Sequence, residues 1–146
     1  TWIIGSNPLQ GGYGIFYWKS NTDPGGIGKA SDAGQWVAVE GAAVRITVDQ
    51  NGNPWVINSA GSIFRRQNNQ WVSLPGLARD IAASPNGEVF VIGAGMANGS
   101  NIYQWNDGIR NWKTIGGVGR NIAVGSNPFR PFVTNDLGQI WQKSKP

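Results

Sequence analysis

The sequence predicts an all-β chain of repeated four-stranded antiparallel units, a β-propeller of about four blades with incomplete end blades. Two observations carry this. Trp36, Trp71 and Trp112 are each followed five residues later by a glycine (Gly41, Gly76, Gly117) and five later again by an isoleucine (Ile46, Ile81, Ile122). The copies therefore begin 35 and 41 residues apart, a period typical of arrays and propellers. Between the markers lie short apolar runs separated by turn residues, with helical spacing nowhere, which suits a propeller blade better than a solenoid that needs helices.

The reference unit runs from Trp36 to Arg66. Trp36 to Val39 is a first run, and Val44 to Val48 alternates apolar and polar residues before Asp49-Gln50-Asn51-Gly52. Asn-Gly between strands is a hairpin signal, because both residues tolerate the positive φ of a tight turn. Pro54 to Ile57 is the returning strand, and Ser59 to Gly61 turns the chain into Ile63 to Arg66. Upstream, TWIIG matches residues 55–58, so the chain starts within a repeat, and the polar Ser6 to Gly12 leads to a strand in which Ile15-Phe16 aligns with Ile63-Phe64. Ser20 to Gln35 is expected to be a long surface loop. The second copy keeps an Asn86-Gly87 turn and carries a Gly-rich insertion, Ala94 to Ser100. The third has one extra residue at its first turn, Asn127 to Arg130, and ends just after an Ile140-Trp141 strand. The expected division is one domain, 1–146, with repeats of approximately 1–35 (partial), 36–70, 71–111 and 112–146.

Composition narrows the chemistry. With no cysteine and no histidine, disulfides, thiolate nucleophiles, Cys/His zinc sites and imidazole-based triads are excluded. The 40% hydrophobic content and 14% charge indicate a globular chain. A net charge of +4, scattered without a basic tract, gives no footprint for nucleic acid. No apolar run approaches the roughly 18 residues of a membrane span. A soluble chain is expected, secreted or cytoplasmic, and its opening on a strand suits one processed or excised from something longer. The sequon Asn98-Gly99-Ser100 has meaning only if the chain is secreted.

These repeats resemble the tectonin-type β-propeller lectins of the tectonin/tachylectin-like family. The resemblance rests on LPGLARDIAASPNGEVFVI, GGVGRNIAVG and NGNPWVINSAGSIFRR and spans nearly the whole chain. Val44 departs from the pattern at the place of Arg79 and Arg120, and related propellers close with more units than the three and part of a fourth found here. The resemblance implies a non-enzymatic, multivalent carbohydrate-binding module; the alternative is a protein-interaction scaffold on the same repeats.

Candidate residues follow from chain direction and from the tryptophans. The start of each innermost strand (Arg45; Arg79 with Asp80; Arg120 with Asn121) and the end of the second strand (Asn58, Asn135) should emerge on one face, because antiparallel strands reverse. Arg, Asp and Asn there could meet sugar hydroxyls, or could simply satisfy loop backbone. Trp2, Trp55, Phe90 and Phe132 share one place in the second strand, and Trp36, Trp71 and Trp112 open the outermost strand; recurrence assigns both sets to packing between blades. Trp18 and Trp105 stand where other copies have Arg66 and Lys143, so they could stack on a sugar face or pack against Trp36 and Trp112. Asp49-x-Asn51-x-Asn53 has the start of a calcium loop without its distal Glu and is better explained as a hairpin turn. The Gly116-Gly117-Gly119 step precedes no helix and is not a dinucleotide site. Neither metal nor cofactor is expected, and no pair among Asp80, Glu88, Asp107 and Asp136 is marked as glycosidase carboxylates. Unfinished blades at both ends should leave Trp2, Ile4, Phe132 and Trp141 in or near water. Three remedies exist: a compact four-bladed ring, further chain, or self-association that closes the ring, which is preferred.

Overall fold

The computed structural model describes residues 1–20, 34–95, 100–126 and 130–143. Most of the expected long loop (21–33), the interior of the second insertion with Asn98 and Gly99 of the sequon, and 127–129 of the third-copy turn lie outside the described residues.

Thirteen antiparallel strands and no helix make up the described chain: β1 (Trp2–Leu9), β2 (Gly12–Lys19), β3 (Gln35–Ala43), β4 (Arg45–Val48), β5 (Pro54–Ile57), β6 (Ser62–Gln67), β7 (Gln70–Ala83), β8 (Val89–Gly93), β9 (Ser100–Asn106), β10 (Asn111–Gly119), β11 (Asn121–Val124), β12 (Pro131–Thr134) and β13 (Ile140–Gln142). They form four blades of a β-propeller, arranged as a half-barrel. The first blade is β1-β2-β3 and the last is β11-β12-β13. The two central blades share the long strand β7, whose first half pairs with β6 as an outer strand and whose second half pairs with β8 as an inner strand. The first strand corrects the sequence reading: β1 continues through Ser6 to Leu9, and its hairpin turns at Gln10-Gly11, where Gly11 takes φ +95°.

The Trp-x4-Gly spacing has a physical cause. In each outer strand the ladder slips by two residues at the glycine: Gly14 pairs with Ala42 but Ile15 with Val39, and Ser62 pairs with Leu77 but Ile63 with Leu74. Gly41, Gly76 and Gly117 occupy these bulges at φ +99°, +83° and +84°, values that favour glycine. Each bulge frees a carbonyl for the following blade. The Trp71 indole N–H donates to the Glu40 carbonyl (2.7 Å) and the Trp112 indole N–H to the Pro75 carbonyl (2.8 Å). The Lys143 ammonium donates to the Ile115 carbonyl at the third bulge.

Alternation along the strands lines both faces of every central blade with apolar groups. Ile15, Ala43 and Val56 join the first blade to the second. Trp55, Ile57, Ile63, Leu74, Ile81, Val89 and Val91 join the second to the third. Ala82, Phe90, Ile92, Ile102, Ile122 and Val133 join the third to the fourth. Each buried Val, Ile or Phe contributes about 1.5–3 kcal/mol, so these three junctions hold the arc. No cluster among the described residues joins the fourth blade to the first.

The recurrent aromatics obey the same geometry. Trp55 and Phe90 are 2% and 3% exposed because a blade follows theirs, and Phe132 at the equivalent register is 39% exposed. Trp36, assigned to packing by recurrence, is 43% exposed, because its side of the first sheet meets no preceding blade. A second correction concerns Trp2 and Ile4: both are partly buried, since they face the second blade and pack on Ile15 and Val56.

Candidate functional site

The three junctions carry equivalent pockets at the glycine bulges. The first is lined by Ile15, Gly41, Val56, Asn58, Phe64 and Trp71; the second by Ile63, Gly76, Val91, Gly93, Tyr103 and Trp112; the third by Ile102, Gly117, Val133, Asn135 and Trp141. Their volumes are about 220, 460 and 510 Å³. Register explains the recurrence. Val56 pairs with Phe64, Val91 with Tyr103 and Val133 with Trp141, so each junction sets an aliphatic floor beside an aromatic wall on the same face. An apolar recess with an aromatic wall and a few polar groups is what a small ligand requires.

Asn58 and Asn135, predicted for a polar rim, line the first and third pockets and also hold their own turns. The Asn58 Oδ1 accepts from the backbone N–H of Ala60 (3.1 Å) and Ser62 (2.9 Å), and the Asn135 Oδ1 accepts from Leu137 and Gln139 (3.0 Å each). Asn135 Nδ2 further donates to Gln139.

The remaining rim residues divide between internal bonds and free groups. Asp80, 7% exposed, receives Arg45 Nε at 3.3 Å on one oxygen and the Ile122 backbone N–H at 2.8 Å on the other. It thereby clasps the inner strands of three successive blades. Arg120 pairs with Asp136 at 3.0 Å, and the Thr134 hydroxyl donates to the Asn121 Oδ1 at 3.4 Å. Arg79 sits where the β7–β8 ladder slips and has no ion pair or hydrogen-bond partner for its side chain among the described residues.

Trp18 and Trp105 lie edge-on against Trp36 and Trp112, at 5.1 and 5.0 Å between ring centroids. Trp105 also lines a fourth, mainly polar recess of about 270 Å³, with Asp49, Asn51, Asn53, Trp55, Arg65, Gln67 and Asp107. There Arg65 lies 4.9 Å over the Trp55 ring and 5.8 Å from that of Trp105, and binds Asp107 at 3.0 Å. The Trp105 indole N–H, with help from Arg65, holds the Asp107 carboxyl below the usual aspartate range. Glu40 is lowered likewise by its hydrogen bond from Arg66. Asp49 is spent on its hairpin, accepting from the N–H of Asn51 and Asn53 and from the Trp55 indole.

Sequence reasoning missed the bulge pockets and the Arg65–Asp107 pair. The Trp-x4-Gly spacing was the available signal for the pockets, because a positive-φ glycine at a fixed offset implies a bulge and a recess beside it.

A search of curated proteins returns no match to this chain. Among solved structures, one described as YCF48 bound to D1 peptide is similar over 98% of this chain, with a TM-score of 0.56 and 21% identity. YCF48 is a β-propeller, and this chain spans 46% of its length; at that identity the likeness speaks to fold alone. The profile of the Tectonin domain matches residues 15–109, from the strand of Ile15 to the turn after Trp105. With the bulged Trp-x4-Gly repeats that build its blades, the chain belongs to the tectonin domain family.

Proposed function

We propose that the chain is a non-enzymatic carbohydrate-binding module whose sites are the bulge pockets between blades. The observation that carries this reading is the threefold recurrence of one pocket: aliphatic floor, aromatic wall, exposed glycine bulge. A sugar presents an apolar ring face and a rim of hydroxyls. Phe64 with Trp71, Tyr103 with Trp112, and Trp141 would take the face, and the Asn58 and Asn135 amides would meet hydroxyls. Single sites of this kind are weak, and repetition along the arc would raise the avidity for a branched or clustered glycan. The unpaired Arg79 adds a donor at the rim.

A glycan array with free-sugar competition tests the reading. Trp141 is 55% exposed, so Trp141→Ala should leave folding intact while lowering affinity at one pocket by about 0.5–1.5 kcal/mol, roughly two- to tenfold. Silence across a broad array, or unchanged binding by Trp141→Ala and Tyr103→Ala together, would overturn it. The second reading is a protein-interaction scaffold, favoured by the peptide bound to the similarly folded YCF48. Binding of a protein ligand that free sugar does not compete would select it.

A further inference from the structure

We propose that the polar recess lined by Arg65, Trp105 and Asp107 is a second binding site, separate from the bulge pockets, for one ring of a neutral sugar. It rests on the carbohydrate reading for its ligand class alone, since none of its lining residues belongs to a bulge pocket. Its walls come from the two central blades: Asp49 to Asn53 before β5, Gln67 at the end of β6, Gly87 after β7 and Asp107 after β9. The aromatic cluster of Trp55, Trp105 and Trp112, with ring centroids 5.0 to 6.4 Å apart, divides this junction. Trp112 lines the bulge pocket, and Trp55 and Trp105 line the recess.

The recess departs from the repeat. Bulge pockets recur with the glycine of every outer strand, but this cavity depends on Arg65, whose register is held by Tyr17, Gln104 and Gln142 in the other blades. In the third blade Gln104 donates to Glu88 at 2.9 Å, so the side chain at that register is satisfied within its own blade. Arg65 is satisfied only in part. Its Nε is buried without a hydrogen-bond partner, its guanidinium lies over the Trp55 ring, and Nη1 donates to Asp107 Oδ1, while Nη2 has no partner among the described residues. Asp107 takes both Arg65 and the Trp105 indole on Oδ1, which leaves Oδ2 as an open acceptor. The side-chain amides of Asn51, Asn53 and Gln67 make no hydrogen bond among the described residues either. Donors and acceptors with spare capacity thus share one cavity, and the Arg65 side chain, 15% exposed, is already held in place before a ligand arrives.

Charge and size select the ligand. Two carboxylates, Asp49 and Asp107, against one guanidinium leave the recess net negative, which repels an anion, and the guanidinium in its wall opposes a metal ion. Neutral hydroxyls suit it, because each can donate to a carboxylate or amide oxygen and accept from Arg65 or an amide N–H. The volume of about 270 Å³ lies just below the range of drug-sized pockets, room for one ring and not for a chain.

Proton–nitrogen correlation spectra recorded during titration with glucose, galactose, mannose, N-acetylglucosamine and glucuronic acid test the site. At least one neutral sugar should shift the Arg65 Nε–H and the Asn53 side-chain amide saturably, and glucuronic acid should not. Arg65→Gln, which installs the side chain found at that register in the third and fourth blades, should weaken this binding about tenfold or more. Asn51→Ala combined with Gln67→Ala, both at exposed positions, should weaken it about two- to tenfold and decides the matter if Arg65→Gln fails to fold. Shifts confined to Tyr103 or Trp141 would overturn this site and leave the bulge pockets standing. No shift with any neutral sugar, equal binding of glucuronic acid, or unchanged affinity in the folded variants would overturn it as well.

Discussion

Replacing Asp80 separates structural clasp from ligand contact. Its carboxylate is the only acceptor that the Ile122 backbone N–H has among the described interactions outside its strand ladder, and both groups are buried. Asp80→Ala would strand that donor, at about 1–3 kcal/mol. It would also release Arg45, which is half exposed, so the ion pair adds no more than about 1 kcal/mol. The expected total is about 1–4 kcal/mol. Asp80→Asn keeps an oxygen for Ile122 and loses chiefly the pairing with Arg45, at about 1 kcal/mol. Urea unfolding followed by tryptophan fluorescence reads both values directly, given eight tryptophans. The Asn cost should shrink with added salt while the Ala cost persists, because screening acts on the exposed pair and not on the buried N–H. An Ala variant within about 1 kcal/mol of the parent, or equal costs for Ala and Asn, would refute the clasp.

Two further outcomes follow from the site. Asp49→Ala should cost about 1–3 kcal/mol, because three donors, two backbone and one indole, lose their acceptor; Arg79→Ala should leave the urea midpoint nearly unchanged and lower only glycan affinity by calorimetry. Equal stability losses for the two would remove Arg79 from the rim. Asp107, held below the ordinary aspartate range by Trp105 and Arg65, stabilises the fold above its unfolded-state value, and that contribution disappears as pH falls through the lower folded value. Its side chain is 75% exposed, so the effect is small and salt-sensitive. The difference in melting temperature between the parent and Asp107→Asn should therefore close below about pH 4, and a difference constant from pH 2 to 6 would refute it.

Local rules determined much of this protein. Period-2 alternation placed β4, and turn residues on either side bounded the apolar runs of β5 and β6, almost to the residue, because these signals are local to the segment. Asn-Gly at 51–52 and 86–87 fixed two hairpins, since turn chemistry acts within four residues. The spacing of Trp to Gly carried the blade repeat, and chain reversal was enough to pair Arg45 with Ile57, next to Asn58, and Asn121 with Thr134, next to Asn135. What lay beyond reach depends on partners far along the chain. Asp80 meets Ile122 and Arg65 meets Asp107 across 42 residues each, and nothing in either segment alone names the other. The bulge pockets exist only where one blade's glycine faces the next blade's aromatic wall. Exposure of equivalent aromatics was likewise a tertiary decision: Trp55 and Phe132 share one register, and only the presence of a following blade buries the first and leaves the second in water.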